Sequence, residues 1–200
     1  IVCTSTQAVA DSINWVRNNN LPFALRSGGH CYEGFSQSDG VVIDIRKMGL
    51  VAVDAPNQRV TVSAGASLAK IYYAVSAAGF AFVGGSCPTV GIAGHTLGGG
   101  MGLLGRKFGL CCDNLVSVRF VKANGTTVEA DAVIEPDIYW ACRGGGGGSF
   151  GVATRFKFKI HPITTVRTFR IVWTFANSSS ALTKARAVFN SWQNWAPNAP

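Results

Sequence analysis

Three glycine-dense loops govern what this chain can fold into. They are Arg26-Ser-Gly-Gly-His30, the stretch GGSCPTVGIAGHTLGGGMGLLGRKFG over 84–109, and the five consecutive glycines at 144–148. Glycine accounts for 24 of 200 residues, well above the usual level of about 7%. It lacks the strict triplet period of collagen. Backbone in these loops therefore needs positive φ or the close approach of a ligand.

Between the loops the apolar residues are periodic. Val9, Ile13 and Val16 recur at helical spacing, and that helix ends near Asn18 to Asn20. Leu68, Ile71, Tyr72 and Val75 mark a second helix, with Ser67 as N-cap and Gly79 just past its end. Strands are expected over Leu21–Arg26, Val41–Ile45, Val51–Val53, Arg59–Ser63, Phe80–Val83, Phe150–Ile160 and Thr165–Phe175. Asn114–Lys122 and Thr126–Ala130 read as a hairpin, because Asn124-Gly125 is a strong turn pair. Pro136–Cys142 reads as a short helix, and Leu182, Ala185, Phe189 and Trp192 mark a last one. Short strands with few helices define an α+β chain, not a regular βαβ succession. Pro162 marks a boundary. Residues 1–163 form one domain, and 164–200 read as one strand and one helix that begin a second. The start at Ile1 and the end just after the last helix give the chain the look of a fragment.

Composition removes several classes. Apolar residues make up 48% and charged residues 14%, which excludes intrinsic disorder. No apolar run is long enough to cross a bilayer, so no membrane partner is expected. The net charge is +8, but the 18 Lys and Arg are scattered. No RNP-like or helix-turn-helix pattern accompanies them, so no nucleic-acid partner is expected. The six cysteines (Cys3, Cys31, Cys87, Cys111, Cys112 and Cys142) contain no C-x-x-C pair, and no metal site is expected. They leave the compartment open. Sequons at Asn124-Gly-Thr and Asn177-Ser-Ser are compatible with secretion, which is the favoured location.

Two loops can carry chemistry. Gly28 and Gly29 lack side chains, so successive amides can converge on one anion, as in a backbone nest for a pyrophosphate. The alternative is a tight loop with a solvated His30, and Arg26 either adds charge or simply ends a strand. The second loop contains a formal G-x-G-x-x-G at Gly100-Met-Gly102-Leu-Leu-Gly105. No strand leads directly into it, and no acidic residue follows about 20 positions on, so the dinucleotide fingerprint fails. Gly105 is followed by Arg106-Lys107, so a P-loop fails too. The loop still requires close approach to something flat or large. The run 144–148 is either a connector or a second face of the same site. His30 and Cys87 are the side-chain types that attack electron-poor rings. Cys87 also reads as a small buried hydrophobe, and His95 as a hydrogen-bonded core residue. His161 receives no role.

Taken together, RSGGHCYEGFS (26–36), GGSCPTVGIAGHTLGGGMGLLGRKFGLCCDNL (84–115) and RGGGGGSFGVATRF (143–156) resemble the FAD-binding domain of berberine bridge enzyme-like oxidases. That family belongs to the vanillyl-alcohol oxidase superfamily with a PCMH-type flavin domain. The resemblance covers about residues 1–163, with three separated motifs in the right order. It implies two small α+β subdomains, followed by the start of a substrate domain.

The resemblance also implies FAD bonded twice, through His30 to the flavin 8α-methyl carbon and through Cys87 to flavin C6. Cys31 follows His30 where serine is commoner. Gly28 and Gly29 would present amides to the pyrophosphate, with Arg26 and Ser27 also counted as cofactor-binding, and Ser36 would lie near phosphate or ribose. Thr89, Gly91, Ile92, Gly94 and His95 would line the isoalloxazine and ribityl chain. Gly98 to Gly102 would pass close to the flavin and begin a short helix. Gly151 and Val152 would lie near the adenine end. Val90 matches the residue that gates oxygen, and valine there resembles oxidases.

The implied reaction is oxidation of an alcohol or an oligosaccharide hemiacetal, with hydride passing to flavin N5 and oxygen giving hydrogen peroxide. The base would come from the substrate domain. Tyr32, Glu33 and Tyr139 are available, but nothing in the sequence promotes them. Two other readings stand beside this one: a dehydrogenase or oxidative cyclase of a specialised metabolite, and a flavin-carrying fragment without turnover.

Overall fold

The computed structural model describes residues 1–163, 165, 170–175 and 180–199. Packing divides the chain into two units, Ile1–Thr164 and Thr165–Pro200.

The first unit opens with α1 (Thr6–Asn18), whose first turn is closed by Ser5 Oγ accepting the Ala8 N–H at 3.1 Å. Val9, Ala10, Ile13 and Val16 form its buried stripe. Next come β1 (Phe23–Arg26) and β2 (Val41–Asp44), which pair in parallel. A parallel pair cannot be joined by a tight turn. The connection 27–40 must therefore leave the carboxyl end of β1, and it carries the first glycine loop with it.

A five-stranded antiparallel sheet makes the other layer. Its order is β3 (Val51–Asp54), β4 (Arg59–Ser63), β8 (Val152–Lys159), β6 (Leu115–Val121) and β7 (Thr127–Ala130). The Asn124-Gly125 turn closes β6 onto β7, with Gly125 at φ 81°. Alternation along β4 and the second half of β8 sends Val60, Val62, Phe156 and Phe158 into the core. Phe82 meets Phe158 edge-on, with ring centroids 5.2 Å apart. A short pair, β5 (Phe80–Ala81) with β9 (His161–Pro162), completes the strands. One continuous core joins α1, both larger sheets and α2 (Leu68–Ala77).

Ser67 occupies the N-cap position of α2, but its side chain makes no capping bond. The reason is tertiary. Leu68 and Ala69 donate their N–H groups to the carbonyls of Val90 and Pro88, each at 2.9 Å. The second glycine loop thus caps this helix and is fixed by it.

Within that loop, α3 (Ile92–Leu97) begins after Gly91, and α4 (Gly105–Phe108) follows. Gly98 to Gly102 were expected to begin a helix at the flavin. Instead they end α3 and pack on the chain itself. A Cβ on Gly102 would overlap the Gly84 carbonyl, and one on Gly100 would meet Cys111 and His95. The remaining elements are a 3-10 turn at Cys111–Asn114 and α5 (Pro136–Ala141). Asn114 therefore belongs to that turn, not to the strand.

The second unit contains α6 (Ala181–Trp195) and a 3-10 turn at Ala196–Asn198. Residues 165 and 170–175 form no strand. A strand needs a ladder partner, and the described residues of this unit supply none. Residues 166–169 of that expected strand, and the Asn177 sequon, lie outside the described residues. Among the described residues no helix is long and apolar enough to cross a membrane.

Candidate functional site

The site grows from the end of β1. Arg26 Nε donates to the Ser36 carbonyl at 3.1 Å, and Ser27 Oγ donates to the Ala64 carbonyl at 2.8 Å. These bonds fix both ends of the first loop. Gly28 lies back to back with Gly91, and a Cβ on either would enter the other's backbone. Gly29 has φ 72° and open space where its Cβ would be. The exposed His30 ring lies over the second loop, with Nε2 3.1 Å from Thr89 Oγ1.

The second loop is fixed just as firmly. Val90 N–H donates to the Cys87 carbonyl at 3.3 Å, and Ile92 N–H to the Ala66 carbonyl at 2.9 Å. Tyr72 donates its hydroxyl to the Gly85 carbonyl at 2.5 Å. Burial and the neighbouring Cys111 push the Tyr72 pKa up to about 12, so this donor keeps its proton. Gly85 N–H in turn donates to His95 Nε2 at 3.0 Å. That bond makes Nε2 an acceptor and leaves the ring proton on Nδ1. Burial pushes the His95 pKa below the usual histidine range, so the ring is neutral near pH 7.

The third glycine run is held by Gly146 N–H donating to the Leu97 carbonyl at 2.9 Å. It faces α3, where a Cβ on Gly147 would lie 3.8 Å from Gly94 Cα. The run is therefore a wall of the same site rather than a free connector.

Together these loops enclose a cavity of about 670 Å³, within the range of about 300–1,000 Å³ for small-molecule and cofactor sites. Of the residues expected at the site, Ser27, Gly28, Gly29, His30 and Ser36 line it from one side. Val90, Gly91, Gly94 and His95 line it from α3 and its approach, and Gly151 and Val152 from the start of β8. His95 combines two expectations, since it is hydrogen-bonded and also reaches the cavity wall.

Other expected residues lie elsewhere. Arg26 braces its own loop and does not line the cavity. The Ile92 side chain is fully buried in the core. Gly98 and Gly102 lie outside the cavity wall for the packing reason given above. Thr89 joins through its contact with His30, and Cys87 is exposed two residues before it.

Residues not singled out in the sequence also contribute, Phe23 to Leu25 of β1, Phe35 and Ser149, while Gly147 and Gly148 belong to the run read as a connector or a second face of the site. The glycine run was the available sign for Ser149. Nothing local marked the β1 residues.

The thiols separate cleanly. Cys111 and Cys142 are buried, and burial pushes each pKa up to about 12. Cys31 and Cys87 are exposed, one on each loop of the site. Gly94 tests the fit of a large planar group. A Cβ there meets no protein atom within 4 Å, so the space beside this helix belongs to the cavity. A largely apolar wall with glycine openings, a neutral imidazole and a surface histidine beside a thiol-bearing turn together fit a flavin dinucleotide.

Comparison with known proteins defines the class. Residues 1–131 match the FAD binding domain family. The chain is 37% identical over 202 residues to the uncharacterized FAD-linked oxidoreductase YgaK of Bacillus subtilis strain 168, covering 98% of this chain and 43% of that protein. It is 41% identical over 167 residues to berberine bridge enzyme-like D-1 of Nicotiana tabacum, covering 80% of this chain and 29% of that protein. A solved structure of a Phl p 4 variant, a glucose oxidase, is 38% identical with a TM-score of 0.78, covering 82% of this chain and 35% of that chain. The chain belongs to the FAD binding domain family, and its relatives include proteins named FAD-linked oxidoreductase and berberine bridge enzyme-like. It spans less than half the length of each of these relatives.

Proposed function

We propose that this protein is an FAD-linked oxidase of alcohols or carbohydrate hemiacetals, with its flavin bonded to both His30 and Cys87. The observation that carries the reading is the 3.1 Å contact of His30 Nε2 with Thr89 Oγ1. It brings His30, which lines the cavity, to the turn that bears Cys87. When bound, flavin would supply the hydride acceptor and the route by which oxygen is reduced to hydrogen peroxide.

The chain's own residues hold and orient that group. Gly28 and Gly29 present backbone to the pyrophosphate without side chains in the way. Gly94 leaves α3 open to a flat ring. His95 offers its Nδ1–H as a neutral donor. A base for the substrate hydroxyl is assigned to the part of the protein beyond this domain. Tyr139 donates its hydroxyl to the Leu115 carbonyl at 2.7 Å, and neither it nor Tyr32 lines the cavity. The sugar component rests on the glucose oxidase activity of the Phl p 4 variant.

Acid precipitation of the protein expressed at native length tests the attachment. Flavin is expected to stay with the washed pellet and to map to peptides bearing His30 and Cys87. His30→Ala and Cys87→Ala are each expected to keep one bond, and the double variant none. Flavin released entirely into the supernatant of the unmodified protein sinks the bicovalent reading.

Val90 is expected to set access of oxygen. Val90→Leu is expected to slow flavin reoxidation by about tenfold or more while leaving flavin reduction unchanged, as stopped-flow absorbance will show. An unchanged oxygen rate removes Val90 from that role. Peroxide yield compared with turnover on an artificial acceptor then separates oxidase from dehydrogenase.

A further inference from the structure

The outward face of the five-stranded sheet carries a feature that flavin binding does not use. Alternation along β8 turns Arg155, Lys157 and Lys159 outward while Phe156 and Phe158 fill the core. The register places Arg59 beside Lys159 on β4, and Arg119 beside Arg155 on β6. Five cations thus share one face, about 7 Å apart along β8 and about 5 Å apart across strands.

Two carboxylates share this face. Glu129 Oε1 accepts from both Arg119 and Arg155, at 2.5 and 2.6 Å, so one acid serves two guanidiniums. Asp54 pairs with Arg59 in the register, but it accepts the Asn57 side-chain amide at 2.9 and 3.1 Å. Lys157 and Lys159 have no ion-pair partner among the described residues. Five cations against two carboxylates leave +3 of the chain's +8 on this one face. Burying such a face against more chain would leave unpaired charge in low dielectric. Among the described residues Lys157 and Lys159 are exposed, so the face is open to solvent there.

We propose that this face docks a linear acidic polysaccharide. The cations alternate with hydroxyls that suit sugar rings: Thr61 and Ser117 flank Lys157, and Ser63 flanks Arg155. A chain with regularly spaced carboxylates can lie along β8 and meet Arg155, Lys157 and Lys159 in turn. Single-stranded nucleic acid fits less well. Sheets that bind it present aromatic rings for base stacking, and the outward positions of β4, β6 and β8 named here hold none. A five-stranded face is too broad for a duplex groove, which admits a helix or a two-stranded ribbon. A membrane surface would be served by aromatic or aliphatic anchors, and these positions hold none. The inference is independent of how flavin is attached.

The test uses the native-length protein near 0.1 M ionic strength, where the Debye length is about 10 Å. Binding to polygalacturonate is compared with binding to oligothymidylate and to phosphatidylserine vesicles at equal anion concentration. Polygalacturonate is expected to bind, with affinity falling steeply as salt rises. The double variant Lys157→Glu/Lys159→Glu is expected to weaken it by about tenfold or more. Lys47→Glu/Lys70→Glu removes the same net charge from other parts of this unit and is expected to leave binding within about twofold. Retained flavin absorbance in both double variants shows that the fold survives. No binding to polygalacturonate overturns the proposal. So does equal loss in the two double variants, or tighter binding to oligothymidylate or vesicles.

Discussion

Alanine at Gly28 is expected to lower the thermal midpoint by about 6–12 °C. Nothing about this glycine's own φ requires the effect. The requirement comes from its neighbour: a Cβ on Gly28 would enter the Gly91 backbone amide, with the Val90 carbonyl carbon 3.2 Å away. Backbone cannot rotate aside as a flexible side chain can. The cost belongs at the upper end of the overpacking range, about 3 kcal/mol, and each kcal/mol shifts the midpoint of a domain this size by about 2–4 °C. The same push separates the His30 loop from the Thr89 turn, so covalent flavin should fall with stability. Differential scanning calorimetry and flavin content together check this. A midpoint unchanged by Gly28→Ala would show that the two loops part without cost, and the site geometry would need redrawing.

Leucine at Gly94 is expected to do the reverse: flavin is lost while the fold remains. Gly94 lies inside α3, where glycine is a poor helix former by about 1 kcal/mol. A side chain there meets no protein atom within 4 Å of its Cβ and projects into the cavity beside Gly147. Gly94→Leu should therefore leave the midpoint of the flavin-free protein unchanged or slightly higher. Flavin incorporation during expression should fall to a few per cent of the parent, on the order of a 2 kcal/mol penalty or more for displacing a bound ring. Full flavin content in this variant would place the ring elsewhere. The pair of variants separates glycine kept for packing from glycine kept for a ligand.

That separation also shows what could be read from the sequence and what could not. The helical stripe Val9, Ile13, Val16 and the alternation Phe156, Phe158, Ile160 report their buried faces directly, because periodicity is local. The hairpin at Asn124-Gly125 was legible for the same reason. The parallel pairing of β1 with β2 was not, since nothing within either strand names its partner. Ser67 was identified correctly as the position before α2, yet its side chain caps nothing. Carbonyls of Pro88 and Val90, some twenty residues on, do that work.

The glycine loops divide in the same way. Their density told that backbone must approach something closely, and the motif RSGGHC pointed to the loop that brings His30 to Thr89. Density could not say what is approached. Gly102 approaches Gly84 of its own loop, Gly151 approaches Phe120, Gly28 approaches Gly91, and Gly94 approaches no protein atom. A glycine excluded by its own chain and a glycine excluded by a cofactor look identical in one dimension. Sequence alone determined α1, α2, the Asn124-Gly125 hairpin and the buried face of β8, because each is written in short-range pattern and chemistry; it did not show α3 and α4 inside the second loop. Only the tertiary structure decided which loop walls face the cavity, that His95 is both braced and at the wall, and that five cations gather on one sheet face. Those facts depend on contacts between residues that are distant along the chain, and spacing carries no record of them.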